Sequence, residues 1–145
     1  MIAQYPTSDQ IQTLLTGPAE TPVVMLNLLR FKARADPPDA GISGEEAYGR
    51  YVEEMVPFVE AHGGRVLWTG RIDSQVIGTG AEGFHMIALV EYPSRQAFVA
   101  IATDPHVLAI GVHRAAGLEG QWLLATTISD VRPLHGERSG SPRIA

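Results

Sequence analysis

Val23-Val24-Met25-Leu26-Asn27-Leu28-Leu29-Arg30-Phe31 is a nearly continuous apolar run, broken only by Asn27 and Arg30. A run this short with little alternation is the pattern of a β-strand covered on both faces. The segment before it is helical in spacing: Ser8 is placed to cap a helix over about 8–16 that carries Ile11, Leu14 and Leu15, with Gly17-Pro18 as the stop. The segment after it, Lys32 to Ile42, holds Pro37-Pro38 and Gly41 and reads as a loop.

Ser43-Gly44-Glu45-Glu46 has the form of a capping box, and a long helix is expected after it. Tyr48, Tyr51, Val52, Met55, Phe58 and Val59 share one face of that helix, Pro57 interrupts its hydrogen bonding, and Gly63-Gly64 ends it. Arg65–Arg71 and Phe84–Tyr92 read as two strands of an antiparallel hairpin, joined by a connection bearing Gly78, Gly80 and Gly83. The Gly78–Gly83 stretch lacks the lysine and the following helix of a phosphate loop, so it reads as a hairpin tip. Ser94 caps a further helix, Asp104-Pro105 begins another that ends at Gly117, and Gln121–Ile128 is the last strand.

After the opening helix the order is strand, helix, strand, strand, helix, strand. This is the split βαβ arrangement of ferredoxin-like α+β domains with a four-stranded antiparallel sheet. Residues 1–128 are expected to form one domain, and 129–145 a C-terminal tail that is flexible or contacts a partner. Two helices cover one face of such a sheet, whereas the first strand is apolar on both. The expected cover for the second face is another copy of the chain, in a homodimer.

The net charge of −5 and the scattered arginines exclude a concentrated basic surface for nucleic acid. No stretch approaches the length of a membrane span, and Met1–Pro6 does not read as a secretory signal. With no cysteine there is no disulfide, thiolate nucleophile or sulfur-ligated metal, which suits a cytoplasmic location.

Strand alternation sorts candidate chemistry. Val24, Leu26 and Leu28 form an aliphatic set suited to the helices, which places Asn27, with Val23, Met25, Leu29 and Phe31, on the face toward a dimer interior. On the third strand Phe84, Met86, Ala88, Val90 and Tyr92 are the helix-facing set, leaving His85, Ile87, Leu89 and Glu91 opposite. Asn27, His85 and Glu91 are therefore expected to converge: His85 as general base, Glu91 as its orienting carboxylate, Asn27 as donor to a developing oxyanion. The plainer alternative gives each a structural partner.

Arg30, Trp68, His113 and Arg114 are candidate substrate contacts. His113-Arg114, near a helix end, equally suits the helix dipole, and Trp68 and Trp122 equally suit packing. His106 and His113 lie two turns apart, too far for a paired-histidine metal grip, and no metal is expected.

Val23–Lys32, Gly63-Gly64-Arg65-Val66, Val90-Glu91-Tyr92-Pro93-Ser94, Asp104-Pro105 and His113-Arg114-Ala115-Ala116-Gly117-Leu118 resemble the bacterial family known as domain of unknown function 1330, over about residues 20–127. The resemblance implies a dimeric α/β barrel, a superfamily that includes cofactor-independent antibiotic-biosynthesis monooxygenases, haem-degrading monooxygenases, muconolactone isomerases and polyketide cyclases. His85 and Val107 stand where members often carry an acidic and an aromatic residue. Asn27, Trp68 and a helix histidine match, in residue type, a set found in haem-degrading relatives.

The expected function is cofactor-free acid/base chemistry on a small, partly apolar or aromatic molecule such as a polyketide-like secondary metabolite. The reaction would be of monooxygenase, isomerase, cyclase or lyase type. A non-catalytic ligand-binding or structural dimer is the alternative, and a haem-binding monooxygenase a third.

Overall fold

The computed structural model describes residues 1–129; the expected tail, apart from its first residue, lies outside them. The elements run α1 (Ser8–Leu15), β1 (Val23–Phe31), α2 (Gly44–Ala61), β2 (Arg65–Arg71), β3 (Met86–Tyr92), α3 (Arg95–Ala102), α4 (Pro105–Gly117) and β4 (Leu118–Thr126). The strands form one antiparallel sheet in the order β2-β3-β1-β4, the ferredoxin-like topology.

Local chemistry sets the helix starts. Ser43 Oγ accepts from the Glu46 amide at 3.0 Å while Glu46 accepts from the Ser43 amide at 3.0 Å, the reciprocal box that starts α2. Ser94 caps α3 through the Ala97 amide, and Asp104 caps α4 through the His106 amide with Pro105 in the first turn. The cap of α1 is Thr7 rather than Ser8, because Thr7 and Gln10 make their own box.

One sheet face carries the core. Val23 and Met25 of β1 and Tyr92 of β3 pack with Val59 of α2, Ile101 of α3 and Val107 of α4, and Leu29, Phe31 and Leu118 form a second buried cluster. The expected facing of β1 is thereby reversed: Val23, Met25, Asn27, Leu29 and Phe31 look toward the helices, and Val24, Leu26 and Leu28 look away. Alternation groups residues into faces but does not say which face the helices take. For β3 the expected facing holds, since Val90 and Tyr92 pack in the core.

The face turned away from the helices stays apolar. Leu26 lies between Leu89 and Leu124, and Leu28 between Ile87 and Trp122. Trp68, opposite Leu89, is 56% exposed there and Leu124 is 47% exposed.

Candidate functional site

Between the helix-facing side of the sheet and the four helices α1–α4 lies a cavity of about 830 Å³. That is ample for a small organic ligand, for which pockets of roughly 300–1,000 Å³ are typical. Its walls are mostly apolar, with Met25, Met55, Phe98, Val107, Val112 and Leu123 among them.

One cluster of polar groups gathers toward one end. Arg114, in the last turn of α4, donates through Nη2 to the Gln121 side-chain oxygen at 2.6 Å and to the Gln4 carbonyl at 2.5 Å. Gln121 Nε2 in turn donates to Asn27 Oδ1 at 3.1 Å, and Asn27 Nδ2 donates to the Met25 and Ala88 carbonyls at 3.3 Å. β4 sets this chain up, because its register places Gln121 opposite Leu29, two residues from Asn27 on the same sheet face. The N-terminal segment closes the side: Ala3 bridges to Gln121, and Tyr5 places its ring 5.4 Å from the Arg114 guanidinium.

Tyr48 and Tyr51, one turn apart on α2 with ring centroids 5.4 Å from each other, add phenols to this end, and Tyr92 of β3, opposite Val23, lines the cavity further along the sheet. None of the three hydroxyls has a hydrogen-bond partner among the described residues. Burial pushes the Tyr48 and Tyr92 phenols well above their ordinary range and raises Tyr51 too, with Arg114 pulling Tyr48 and Tyr51 back in part. They are neutral donors at any physiological pH. Arg114 pairs with no carboxylate among the described residues, so this end of the cavity carries positive charge and unused hydrogen-bond donors. Such an arrangement has the chemistry to hold an anionic oxygen.

Asn27 and Arg114 are the expected site residues that this cavity contains. The expected convergence of Asn27, His85 and Glu91 does not form. Glu91 sits opposite Val24 on the other sheet face and pairs with Arg65 at 3.0 Å. His85 is exposed, just before β3; its Nδ1 accepts from the Phe31 amide at 3.0 Å and its ring stacks on Phe31. Six residues of extended chain, about 20 Å, separate it from Glu91.

Arg30 pairs with Glu119 at 3.0 Å, outside the cavity. Trp68 lies on the opposite face of the sheet, so the set of Asn27, Trp68 and a helix histidine does not come together either. His113 is held by buried Asp39, with Nδ1 2.7 Å from Oδ2, while Arg50 donates to the other Asp39 oxygen at 2.6 Å. His106 contacts Glu54 and the Phe58 ring of α2. Among the described residues no three His, Cys, Asp or Glu side chains are grouped to hold a metal ion, and no helix is long and apolar enough to cross a membrane.

Comparison with known proteins places this architecture. The model of the domain of unknown function family DUF1330 matches residues 39–128. The chain belongs to this family. The likeness extends to a solved structure, a protein of unknown function from Rhodopseudomonas palustris that is 32% identical, with a TM-score of 0.78, covering 94% of this chain and 100% of that one.

More distant structures share the fold of this DUF1330 domain. A cofactor-independent oxygenase from Streptomyces nogalater is 11% identical, with a TM-score of 0.50 over 78% of this chain and 98% of its own. A hydroxynitrile lyase from Passiflora edulis is 16% identical, with a TM-score of 0.51 over 79% and 99%. No curated protein sequence matches the chain.

Tyr48, Tyr51, Tyr92, Gln121 and Arg95 are cavity residues that the sequence reading did not single out. The signal for the first two was present, since their spacing put them on the inward face of α2, but a tyrosine there reads as core.

Proposed function

We propose that this DUF1330 domain binds a small, partly apolar or aromatic metabolite between sheet and helices. It holds an enolate or phenolate oxygen of that molecule against Arg114 and the Tyr48 and Tyr51 hydroxyls. The observation that carries this reading is the Arg114 guanidinium, placed in an apolar cavity with neutral acceptors only and partnerless phenols beside it. Such a site makes a weakly acidic O–H or C–H group of the ligand more acidic, which is the shared first requirement of isomerisation, cyclisation, lyase and oxygenation chemistry on activated carbonyl compounds. Removing that proton calls for no redox cofactor.

Among the described residues no His, Asp or Glu lines the cavity. The proton therefore leaves to solvent, and the protein's contribution is to stabilise the anion rather than to supply a base. The same fact favours a second reading, binding without turnover. Both are tested by titrating para-nitrophenol, whose anion absorbs at longer wavelength than its neutral form. Binding should lower its pKa, and Arg114→Met should abolish that shift. A bound probe with unaltered pKa would sink the anion-stabilising reading, and a lowered pKa with no turnover of any activated ketone would leave the binding one.

The functional unit we propose is a cytoplasmic homodimer formed through the open sheet face. Leu26, Leu28, Leu89 and Leu124 supply an apolar centre, and the Arg65–Glu91 and Arg30–Glu119 pairs lie toward opposite ends of it. A two-fold axis lets such a surface, apolar in the middle with both charges at each end, meet its own copy.

A further inference from the structure

We infer that Arg95 is a second anion anchor in the wall of the cavity, and that the ligand carries a carboxylate or comparable charged group besides the oxygen held at Arg114. This rests on the cavity being the ligand site proposed above, and it narrows the class of ligand.

Arg95 is the first residue of α3 and is only 8% exposed, yet it lines the cavity. Its Nη1 donates to the Leu14 carbonyl at 3.3 Å, its Nε has no partner, and no carboxylate pairs with it among the described residues. A buried cation without a counter-charge is costly, and the first turn of a helix is where the dipole disfavours positive charge. One carbonyl at the end of α1 offsets only part of this. The chain nonetheless makes room for the group: a Cβ at Gly17 would overlap the Arg95 guanidinium, so the glycine leaves the space the guanidinium fills. A bound anion removes both penalties at once, and the apolar neighbours Leu14, Phe98 and Val99 would shield that ion pair from water.

Arg95 and Arg114 enter the cavity from different ends. Arg95 follows Tyr92, which pairs with Val23, whereas Arg114 bonds Gln121, which pairs with Leu29, six residues or about 20 Å further along β1. The ligand class that meets both is an elongated apolar or aromatic acid, with its carboxylate at one end and an acidic hydroxyl or enol at the other.

The test is calorimetric titration of the whole protein with para-hydroxyphenyl alkanoic acids of increasing chain length, each alongside its methyl ester. At the best length the acid should bind at least about tenfold tighter than the ester, the worth of one charge-assisted bond. Arg95→Gln should erase that preference, acid and ester then binding equally, and Arg95→Lys should keep part of it. Acids no tighter than esters at any length would overturn the role of Arg95 and leave that of Arg114 standing, and this wild-type comparison does not depend on any variant folding. Acid preference surviving in Arg95→Gln would also overturn it. Failure of acids and esters alike would overturn both readings.

Discussion

Gly117 at the end of α4 and Gly44 at the start of α2 touch backbone to backbone, with no room for a side chain on either. A Cβ on Gly44 would fall 2.5 Å from the Gly117 carbonyl oxygen, and one on Gly117 would overlap the Gly44 carbonyl oxygen and lie 2.9 Å from the Tyr48 amide. The Lys32 amide donates to the Gly117 carbonyl at 2.8 Å and the Gly44 amide to the Lys32 carbonyl at 3.1 Å, so the end of β1 is tied into the same contact. Tyr48 lies one turn after Gly44 and Arg114 one turn before Gly117. The glycine contact therefore sets the spacing of phenol and guanidinium. Gly117→Ala should destabilise the fold by about 2 kcal/mol or more, because backbone rather than a movable side chain stands in the way. A loss below about 0.5 kcal/mol in urea denaturation would show that the helices slide apart freely.

The Tyr48 hydroxyl has nothing to lose in the free protein. Tyr48→Phe should leave stability within about 0.5 kcal/mol, since the ring contacts with Phe31 and Tyr51 persist. The affinity for para-nitrophenolate should fall by roughly tenfold, the worth of one hydrogen bond to a charged oxygen. Unchanged affinity would remove Tyr48 from the site.

His85 illustrates what the sequence left open. As a residue type near a strand start it fits a general base, yet its Nδ1 receives the Phe31 amide. Its removal should therefore cost stability: about 1–2 kcal/mol for His85→Ala, through an amide left unpaired beside a buried phenylalanine, with ligand binding intact. Para-nitrophenol titration of the destabilised but still folded variant checks this, and a lost pKa shift at unchanged melting temperature would restore the catalytic reading.

The elements themselves were legible, because each is bounded by local chemistry: a capping box at Ser43, Asp104-Pro105 at α4, Gly117 at its end, an apolar run for β1. The face of β1 was not. Val24, Leu26 and Leu28 make the more uniform aliphatic set, and uniformity suggested the helix side; Asn27 is tolerated among core residues because a cavity opens there and Gln121 bonds it. Gln121 and Arg95 carry no signal in sequence, since their meaning comes from a strand register and from a guanidinium left unpaired after folding.

Asp39 gives a pH dependence with a definite sign. The hydrogen bond from His113, helped by Arg50 and opposed by burial, holds its carboxyl below the ordinary range. A carboxyl with a depressed folded pKa contributes stability that is fully present above the unfolded value, about 3.9, and lost as pH falls through the folded one. Asp39→Asn should thus cost about 1–3 kcal/mol near neutral pH, with a wild-type advantage that shrinks below about pH 4. Denaturation curves at several pH values measure it, and a constant difference into strong acid would mean that the amide fails for steric reasons.

The open sheet face yields the last prediction. Leu26 and Leu28 are flanked on both sides by apolar residues of β3 and β4, so a charge introduced there in a dimer would be buried without a partner. In a monomer the same charge would stand in water at little cost. Leu124, already 47% exposed, separates the cases best. Leu124→Arg should convert the protein from twice the chain mass to the chain mass in light scattering, while circular dichroism stays that of the folded domain. A wild type that already scatters as a single chain would end the self-pairing proposal, and a variant that remains dimeric would move the interface elsewhere.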